Sequence, residues 1–161
     1  EFCVAAHNLS DKATFVWVGP EDDTDSATRV PHQEAVRFVG ERTDMPAVYS
    51  ALDVFALASH REGFSRASME AAACGRPMIL SDIRGCREVG DHQVHLLLFR
   101  PADASSLTAT LAQLLENSSL RNRLGAAAEA RARAHFDQRQ IAASSLRAYR
   151  ATTAAWVGEE G

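Results

Sequence analysis

The chain has 161 residues, a formal net charge of -4 and a pI of about 5.9, so no global basic field favours nucleic acid. Its length suits one domain, and 46% hydrophobic with 24% charged residues is typical of a soluble globular protein. No apolar run approaches the ~20 residues of a membrane span. Three cysteines without paired spacing (Cys3, Cys74 and Cys86) predict reduced thiols in a cytoplasmic protein without a zinc site.

Helical and extended patterns alternate through the first two thirds of the chain. Hydrophobic periodicity predicts a helix over residues 1–8 and strands over 13–18, 36–39, 53–58, 78–81 and 94–99. Between them it predicts a helix over 44–52, with Asp44 as its cap and Pro46 in its first turn, and a short helix over 86–90. This alternation predicts an α/β fold with a parallel sheet.

The last third of the chain is predicted to be helical, over 103–115, 120–136 and 138–156. The last of these helices carries a stripe predicted to pack, formed by Ala142, Leu146, Tyr149, Thr153 and Trp156. The arginine-rich face of the second helix is more typical of a solvated face than of a nucleic-acid site. No histidine pair has metal-ligand spacing, and the acidic cluster within 21–25 is typical of a solvated loop, so no metal site is predicted.

The stretch 60–77 joins the strands predicted over 53–58 and 78–81, and it holds the strongest functional pattern. Ser65 is predicted to cap a helix that begins near Arg66, which leaves backbone amides free for an anion. Glu62 and Glu70 lie on either side of this junction. The Glu70 carboxylate can accept hydrogen bonds from the two hydroxyls of a ribose, and Glu62 can reach a polar group beyond the anion.

A purely structural interpretation of the two glutamates is also open. Glu62 is then a surface loop residue, and Glu70 compensates the helix dipole. From the spacing alone this interpretation is slightly favoured, because short motifs often match by chance.

The sequence around the two glutamates favours the functional interpretation over the structural one. The segment from Glu62 to Glu70, followed by A-A-A-C-G-R-P-M-I, resembles the E-x7-E signature of retaining GT-B glycosyltransferases of family 4, the glycosyl transferases group 1. Residues 84–89, R-G-C-R-E-V, resemble the G-G-x-x-E loop of the same enzymes, with Arg84 in place of the first glycine. The resemblance follows nearly the whole chain in order. It implies a Rossmann-like parallel sheet with helices on both faces, with residues 1–161 as one nucleotide-sugar-binding domain.

The resemblance also implies roles for individual residues. Glu62 is the implied catalytic residue, which contacts sugar hydroxyls and helps to position the anomeric carbon. Glu70 holds the ribose, and the base lies near Gly40 and Arg42. The diphosphate and the sugar face the segment Gly63, Phe64, Ser65 and Arg66. Transfer proceeds with retention of configuration and needs no metal and no cofactor beyond the nucleotide-sugar co-substrate.

The acceptor site is implied to belong to an N-terminal domain that this chain does not contain. The full-length enzyme is expected to be cytoplasmic, with peripheral association with the inner face of the membrane left open. Two other functions also stay open: a nucleotide-sugar epimerase of the same fold, or a non-catalytic ligand-binding or interaction module.

The resemblance finally implies that the first strand of the sheet is absent. In the doubly wound order 3-2-1-4-5-6 the first strand is central. The strands over 13–18 and 53–58 are therefore expected to lie about one strand apart, ~9–10 Å instead of ~4.8 Å. We expect such a chain to be an inactive fragment that associates through its open strand edges.

Overall fold

A computed structural model describes residues 1–20, 30–137, 139 and 142–150. Its elements, in chain order, are α1 (Phe2–Asn8), β1 (Phe15–Trp17), β2 (Val36–Phe38), α2 (Met45–Ala51), β3 (Phe55–Leu57), α3 (Arg66–Ala73), β4 (Met78–Ser81), α4 (Arg84–Arg87), β5 (Leu97–Phe99), α5 (Ala104–Glu116) and α6 (Ser118–His135). A 3-10 turn, Gln33–Ala35, precedes β2, and residues 142–150 are helical.

The strands form two separate parallel sheets. One contains β1 and β2, and the other has the order β3-β4-β5. In the described part of the chain, no strand pairs with the second edge of β1 or with that of β3. The strands predicted over 13–18 and 53–58 are therefore not paired with each other, as the resemblance implies.

Helices cover both faces of the sheets. The central strand β4 is buried along its whole length, and its side chains alternate between two hydrophobic clusters. Ile79 packs in the cluster that contains α1 and α5, whereas Met78 and Leu80 pack in the cluster that contains α2 and α3. Burial on both faces explains why this strand is a continuous apolar run. The predicted Rossmann-like α/β architecture is confirmed.

Several predicted boundaries differ from the structure. β1 and β3 are three residues long, whereas strands were predicted over 13–18 and 53–58. A strand predicted over 94–99 begins at Leu97, and the short helix predicted over 86–90 spans Arg84–Arg87. The Asp44 carboxylate does not cap α2; it accepts hydrogen bonds from the Arg42 guanidinium at 2.9 and 2.7 Å.

The C-terminal stripe does not pack as predicted, as far as the structure describes it. Residues 142–150 are helical, but all of them are exposed, including Leu146 and Tyr149. The remainder of the helix predicted over 138–156 lies largely outside the described residues.

Candidate active site

The candidate site is built around the capped amino end of α3, which lies beyond the carboxyl end of β3. The Ser65 hydroxyl accepts hydrogen bonds from the Ser68 backbone amide at 3.3 Å and from the Ser68 hydroxyl at 2.8 Å. Both serines are buried. The first turn carries no acidic side chain, so the positive end of the helix dipole is not compensated within the helix. The predicted cap and helix start are confirmed.

Glu62 lies on the loop between β3 and α3 and is half-buried. Its Oε1 accepts a hydrogen bond of 2.8 Å from the hydroxyl of Ser59, which follows β3. This bond fixes the carboxylate near the carboxyl end of the strand, the edge where ligands bind in open α/β sheets. No pattern in the sequence singles out Ser59.

The short helix α4 closes against the same loop through Gly85. A Cβ atom at Gly85 would come within 2.4 Å of the carbonyl oxygens of Glu62 and Gly63. Only glycine permits this approach. A shallow cavity of about 520 Å³ results, lined by Glu62, Gly63, Phe64, Arg84 and Glu88. The structure therefore joins the two segments that carry the motifs, and it places a guanidinium beside the Glu62 loop.

Cys86, which follows Gly85 in α4, is fully buried. Burial, and secondarily the negative charge of Glu62, raises the pKa of its thiol to about 11. The thiol is therefore protonated at physiological pH, and the side chain packs as a neutral group.

Glu70 is held from two sides. Its Oε2 accepts a hydrogen bond of 3.0 Å from the Tyr49 hydroxyl, and its Oε1 accepts one of 3.1 Å from Arg66. Tyr49 is only 2% exposed, and burial followed by the bond to Glu70 raises the pKa of its phenol. The phenol is therefore a fixed neutral donor. The Glu70 side chain itself is 40% exposed, so its remaining lone pairs can accept further hydrogen bonds.

Phe64 presents its ring at the surface of the site. The side chain is 43% exposed and packs edge-to-face on Phe136, with centroids 5.6 Å apart. Phe136 caps the carboxyl end of α6, so the last long helix of the described chain supports the site loop.

Two predicted site residues lie in the other sheet. Gly40 and Arg42 follow β2, and the Gly40 carbonyl accepts a hydrogen bond from the Gly19 amide at 3.0 Å. Gly40 has a φ of +71°, which favours glycine at this turn. The other six predicted site residues lie on the loop before α3 or within α3, which follows β3 of the second sheet.

A cluster of three candidate metal ligands has no signal in the sequence pattern. Ligand atoms of His7, His32 and Glu34 lie within 4.8 Å of one another, although His7 is far from the other two in sequence. They lie near the amino ends of β1 and β2, at the opposite edge from the candidate site. The two imidazole rings are stacked at 3.9 Å, so their in-plane lone pairs do not converge on one ion. One ring would have to turn before both could bind it.

Comparison with known proteins agrees with this architecture. A family model of glycosyl transferases group 1 matches residues 2–117. The N,N'-diacetylbacillosaminyl-diphospho-undecaprenol alpha-1,3-N-acetylgalactosaminyltransferase of Campylobacter jejuni is 34% identical over 92% of this chain. Glycogen synthase of Mycobacterium tuberculosis is 30% identical over 84% of it. The chain spans 40% and 34% of the length of these two relatives.

Solved structures share the fold. The crystal structure of Anabaena HepE in complex with UDP matches with a TM-score of 0.76 and 25% identity, over 89% of this chain and 44% of that one. Sucrose-phosphate synthase of Thermosynechococcus elongatus matches with a TM-score of 0.81 and 24% identity, over 96% and 42%. Parallel sheets covered by helices on both faces define a GT-B domain with a Rossmann-like fold. The chain belongs to the family of glycosyl transferases group 1.

None of the helices that the structure describes combines the length and the apolar character needed to cross a membrane.

Proposed function

We propose that this chain is the donor-binding domain of a retaining family 4 glycosyltransferase, which transfers a sugar from a nucleotide-sugar donor to an acceptor. The observation that carries the proposal is the arrangement of Glu62 and Glu70 around the capped amino end of α3. Each carboxylate is oriented by one hydroxyl, from Ser59 and Tyr49 respectively. The amino end of α3 can bind the diphosphate of a nucleotide sugar. The two carboxylates on either side of it can accept hydrogen bonds from hydroxyl groups, Glu62 from the sugar and Glu70 from the ribose.

In this proposal the diphosphate lies against the backbone amides of Arg66 and Ala67. These amides belong to the first turn of α3, whose carbonyl partners within the helix are missing. Arg84, on the opposite side of the shallow cavity, adds a positive charge for the leaving phosphate. Fixed amides and a cation stabilise the charge that develops on the leaving group, so the residues supply this function without a metal.

Glu70 would bind the ribose, and Glu62 would contact the sugar beside the anomeric carbon. Arg66 is 81% exposed, so its contact with Glu70 is a solvent-screened one that a ribose hydroxyl can displace. The bond from the buried Tyr49 stays and keeps the carboxylate oriented. The base would lie near Gly40 and Arg42. HepE was solved with UDP and with UDP-glucose, which makes UDP-sugars the first donors to test.

The decisive experiment uses a full-length protein that contains this domain. Glu70→Ala should weaken binding of UDP by roughly 1.5–3 kcal/mol, the usual scale for hydrogen bonds to a charged group. Binding of 2′,3′-dideoxy-UDP, measured by the same calorimetry, should be insensitive to the change. Equal losses for both nucleotides would remove Glu70 from the ribose site.

Turnover tests the role of Glu62 in the same protein. Glu62→Ala should reduce sugar transfer by ~100-fold or more, because one positioned contact to the transition state is lost. Glu116→Ala is the matched control, since that carboxylate pairs with the exposed Lys12 on the surface, and it should leave turnover unchanged. Product analysis follows the anomer that is formed. Release of a free epimerised sugar, or no product at all despite UDP binding, would contradict the proposed transfer.

A further inference from the structure

The arginine-rich face of α6 does more than face solvent. Guanidinium groups on this helix donate hydrogen bonds to backbone carbonyls of other elements. Arg121 donates to the carbonyl oxygens of Leu114 and Leu115, at 2.6 and 2.9 Å, in the last turn of α5. Arg123 donates to the carbonyl oxygen of Gln93 at 3.0 Å. These arginines therefore fix neighbouring segments to α6.

Arg131 makes the same kind of contact beside the candidate active site. Its Nε donates to the Val89 carbonyl oxygen at 2.8 Å, and one terminal nitrogen lies 3.5 Å from the Glu88 carbonyl oxygen. Both carbonyls stand at the carboxyl end of α4, where backbone acceptors lack partners within the helix and a cation is favoured. Arg131 is half-buried, so solvent screens this contact only in part. It ties the end of α4 to α6.

α4 forms one wall of the shallow cavity. Arg84 begins this helix and Glu88 follows it, and both line the cavity. Between them, Gly85 abuts the backbone of the Glu62 loop. Any movement of α4 relative to that loop therefore changes the distance between Arg84 and Glu62.

The same helix supports the other wall of the cavity. Phe136, which follows α6, packs edge-to-face on Phe64 of the Glu62 loop. α6 is also seated closely on the segment after α3, because a Cβ at Gly125 would come within 2.4 Å of the Gly75 carbonyl oxygen. One helix thus holds both walls of the cavity, through Arg131 on one side and Phe136 on the other.

We propose that Arg131 is a positioning residue of the active site, which holds α4 against the Glu62 loop and thereby sets the place of Arg84 opposite Glu62. The inference rests on the proposed function, in which Glu62 contacts the sugar and Arg84 faces the leaving phosphate. Arg131 acts through α4 and contacts no reacting group. Ribose binding by Glu70, on α3, does not depend on α4.

The first test measures transfer and UDP binding by Arg131→Met in the full-length protein. Methionine keeps an apolar stem and removes the hydrogen-bond donors. The kcat for sugar transfer should fall about 10-fold or more, because a small misplacement of groups at the reacting centre slows the chemical step. The Kd for UDP, measured by calorimetry, should change less than about threefold, because the lost alignment matters mainly in the transition state. A variant that merely unfolds would instead bind less UDP per mole of protein.

Arg121→Met is the matched control. Arg121 is also half-buried on α6 and also bonds carbonyls at the end of a helix, but it lies about 15 Å along the helix axis from Arg131. Its loss should lower stability to a similar extent and leave kcat unchanged. Arg131→Lys, whose ammonium can still donate to a carbonyl, should retain more of kcat than Arg131→Met.

Cys86 gives a second measurement, on the 161-residue chain, that needs no activity. It lies in α4 and is fully buried. If Arg131 holds α4 in place, Arg131→Met should speed labelling of Cys86 by a thiol reagent at pH 8 by about 10-fold or more. Arg121→Met should label at the rate of the unsubstituted chain, which separates loosening of α4 from a general loss of stability.

Three results would overturn the proposal. The first is an equal kcat for Arg131→Met and Arg121→Met. The second is a loss of UDP affinity by Arg131→Met as large as its loss of kcat. The third is equal labelling of Cys86 in the two variants. Glu62→Ala separates these failures from failure of the proposed function. Normal turnover by Glu62→Ala removes the proposed function itself, whereas an inactive Glu62→Ala beside a fully active Arg131→Met removes only the role of Arg131.

Discussion

At the scale of single residues, the candidate site depends on hydroxyl groups that orient carboxylates. Glu62 and Glu70 are recognisable in the sequence because the E-x7-E spacing is long and its surroundings are specific. Ser59 and Tyr49 are not, because their role depends on where the ends of β3 and α2 meet the site loop. The sequence shows Tyr49 only as a single phenol in the predicted helix M-P-A-V-Y-S-A, which does not indicate that it contacts Glu70.

Tyr49→Phe should weaken binding of UDP about fivefold while the fold persists. The substitution keeps the ring, which packs edge-to-face on Phe55 at 5.9 Å, and removes the hydroxyl that donates to Oε2 of Glu70. One hydrogen bond contributes about 1 kcal/mol. Isothermal titration of the full-length protein measures the effect. Ser50→Ala, an exposed hydroxyl on the same helix, is the control and should bind UDP normally.

The thiol of Cys86 should react more slowly than that of Cys74. With a pKa of about 11, Cys86 has roughly one thiolate in a thousand at pH 8, compared with one in ten for a thiol at the ordinary 9.0. A thiol reagent at pH 8 should therefore label the half-buried Cys74 first, and Cys86 only after unfolding. Since the pKa is raised in the folded state, the protonated thiol stabilises the fold below pH 9, and this contribution is lost as the pH rises toward 11.

Mass spectrometry of the labelled peptides checks the order. Equal labelling of Cys74 and Cys86 in the folded chain would mean that the segment around α4 opens freely. The close contact between Gly85 and the Glu62 loop would then not persist in solution.

At the scale of elements, strand lengths show what a sequence can and cannot specify. β4 has the predicted limits, 78–81, because both of its edges are paired and both faces are buried, so its apolar run and its ladder coincide. The runs over 13–18 and 53–58 are equally apolar, but only three residues of each are paired as strands. The apolar pattern alone does not show which residues of such a run are paired.

Two further features, the amino end of α2 and the contact at Gly85, are set by contacts that the sequence pattern does not show. The Asp44 carboxylate forms a bidentate ion pair with Arg42, so it does not accept a hydrogen bond from the backbone amides at the amino end of α2. From the sequence, Gly85 is recognisable only as the second glycine of the G-G-x-x-E loop. In the structure it is the point at which α4 touches the backbone of the Glu62 loop.

Gly85→Ala should therefore disturb the active-site loop. The added methyl group would meet two backbone carbonyl oxygens at 2.4 Å, so α4 or the loop must shift. Overpacking of this kind typically costs 1–3 kcal/mol. Gly63→Ala is the matched control for folding, because a Cβ there meets nothing within 4 Å. Chemical denaturation compares the two variants, and equal stabilities would show that the contact at Gly85 is easily relaxed.

At the scale of the whole molecule, the described chain is two sheets joined by shared layers of helices. The cluster on the side of α1 and α5 includes Phe15 and Val36 from one sheet and Ile79 and Phe99 from the other. The other cluster draws its strand residues, among them Phe55, Met78 and Leu80, from the β3-β4-β5 sheet. The sheet of β1 and β2 is therefore held mainly from one side. This asymmetry predicts that stability is unevenly distributed.

Native-state hydrogen exchange should resolve that distribution. The amides of Ile79 and Leu80, in the fully buried β4, should exchange only by global unfolding, with a strong dependence on denaturant. The amides of β1 and β2 should exchange by local opening, with rates at least ~10-fold higher and nearly independent of low denaturant concentrations. β5 provides the internal comparison, since it is also an edge strand of its sheet but packs in the first cluster beside Ile79. Equal exchange free energies for β1 and β4 would mean that the two sheets unfold as one unit. The cleft between them would then not divide the domain energetically.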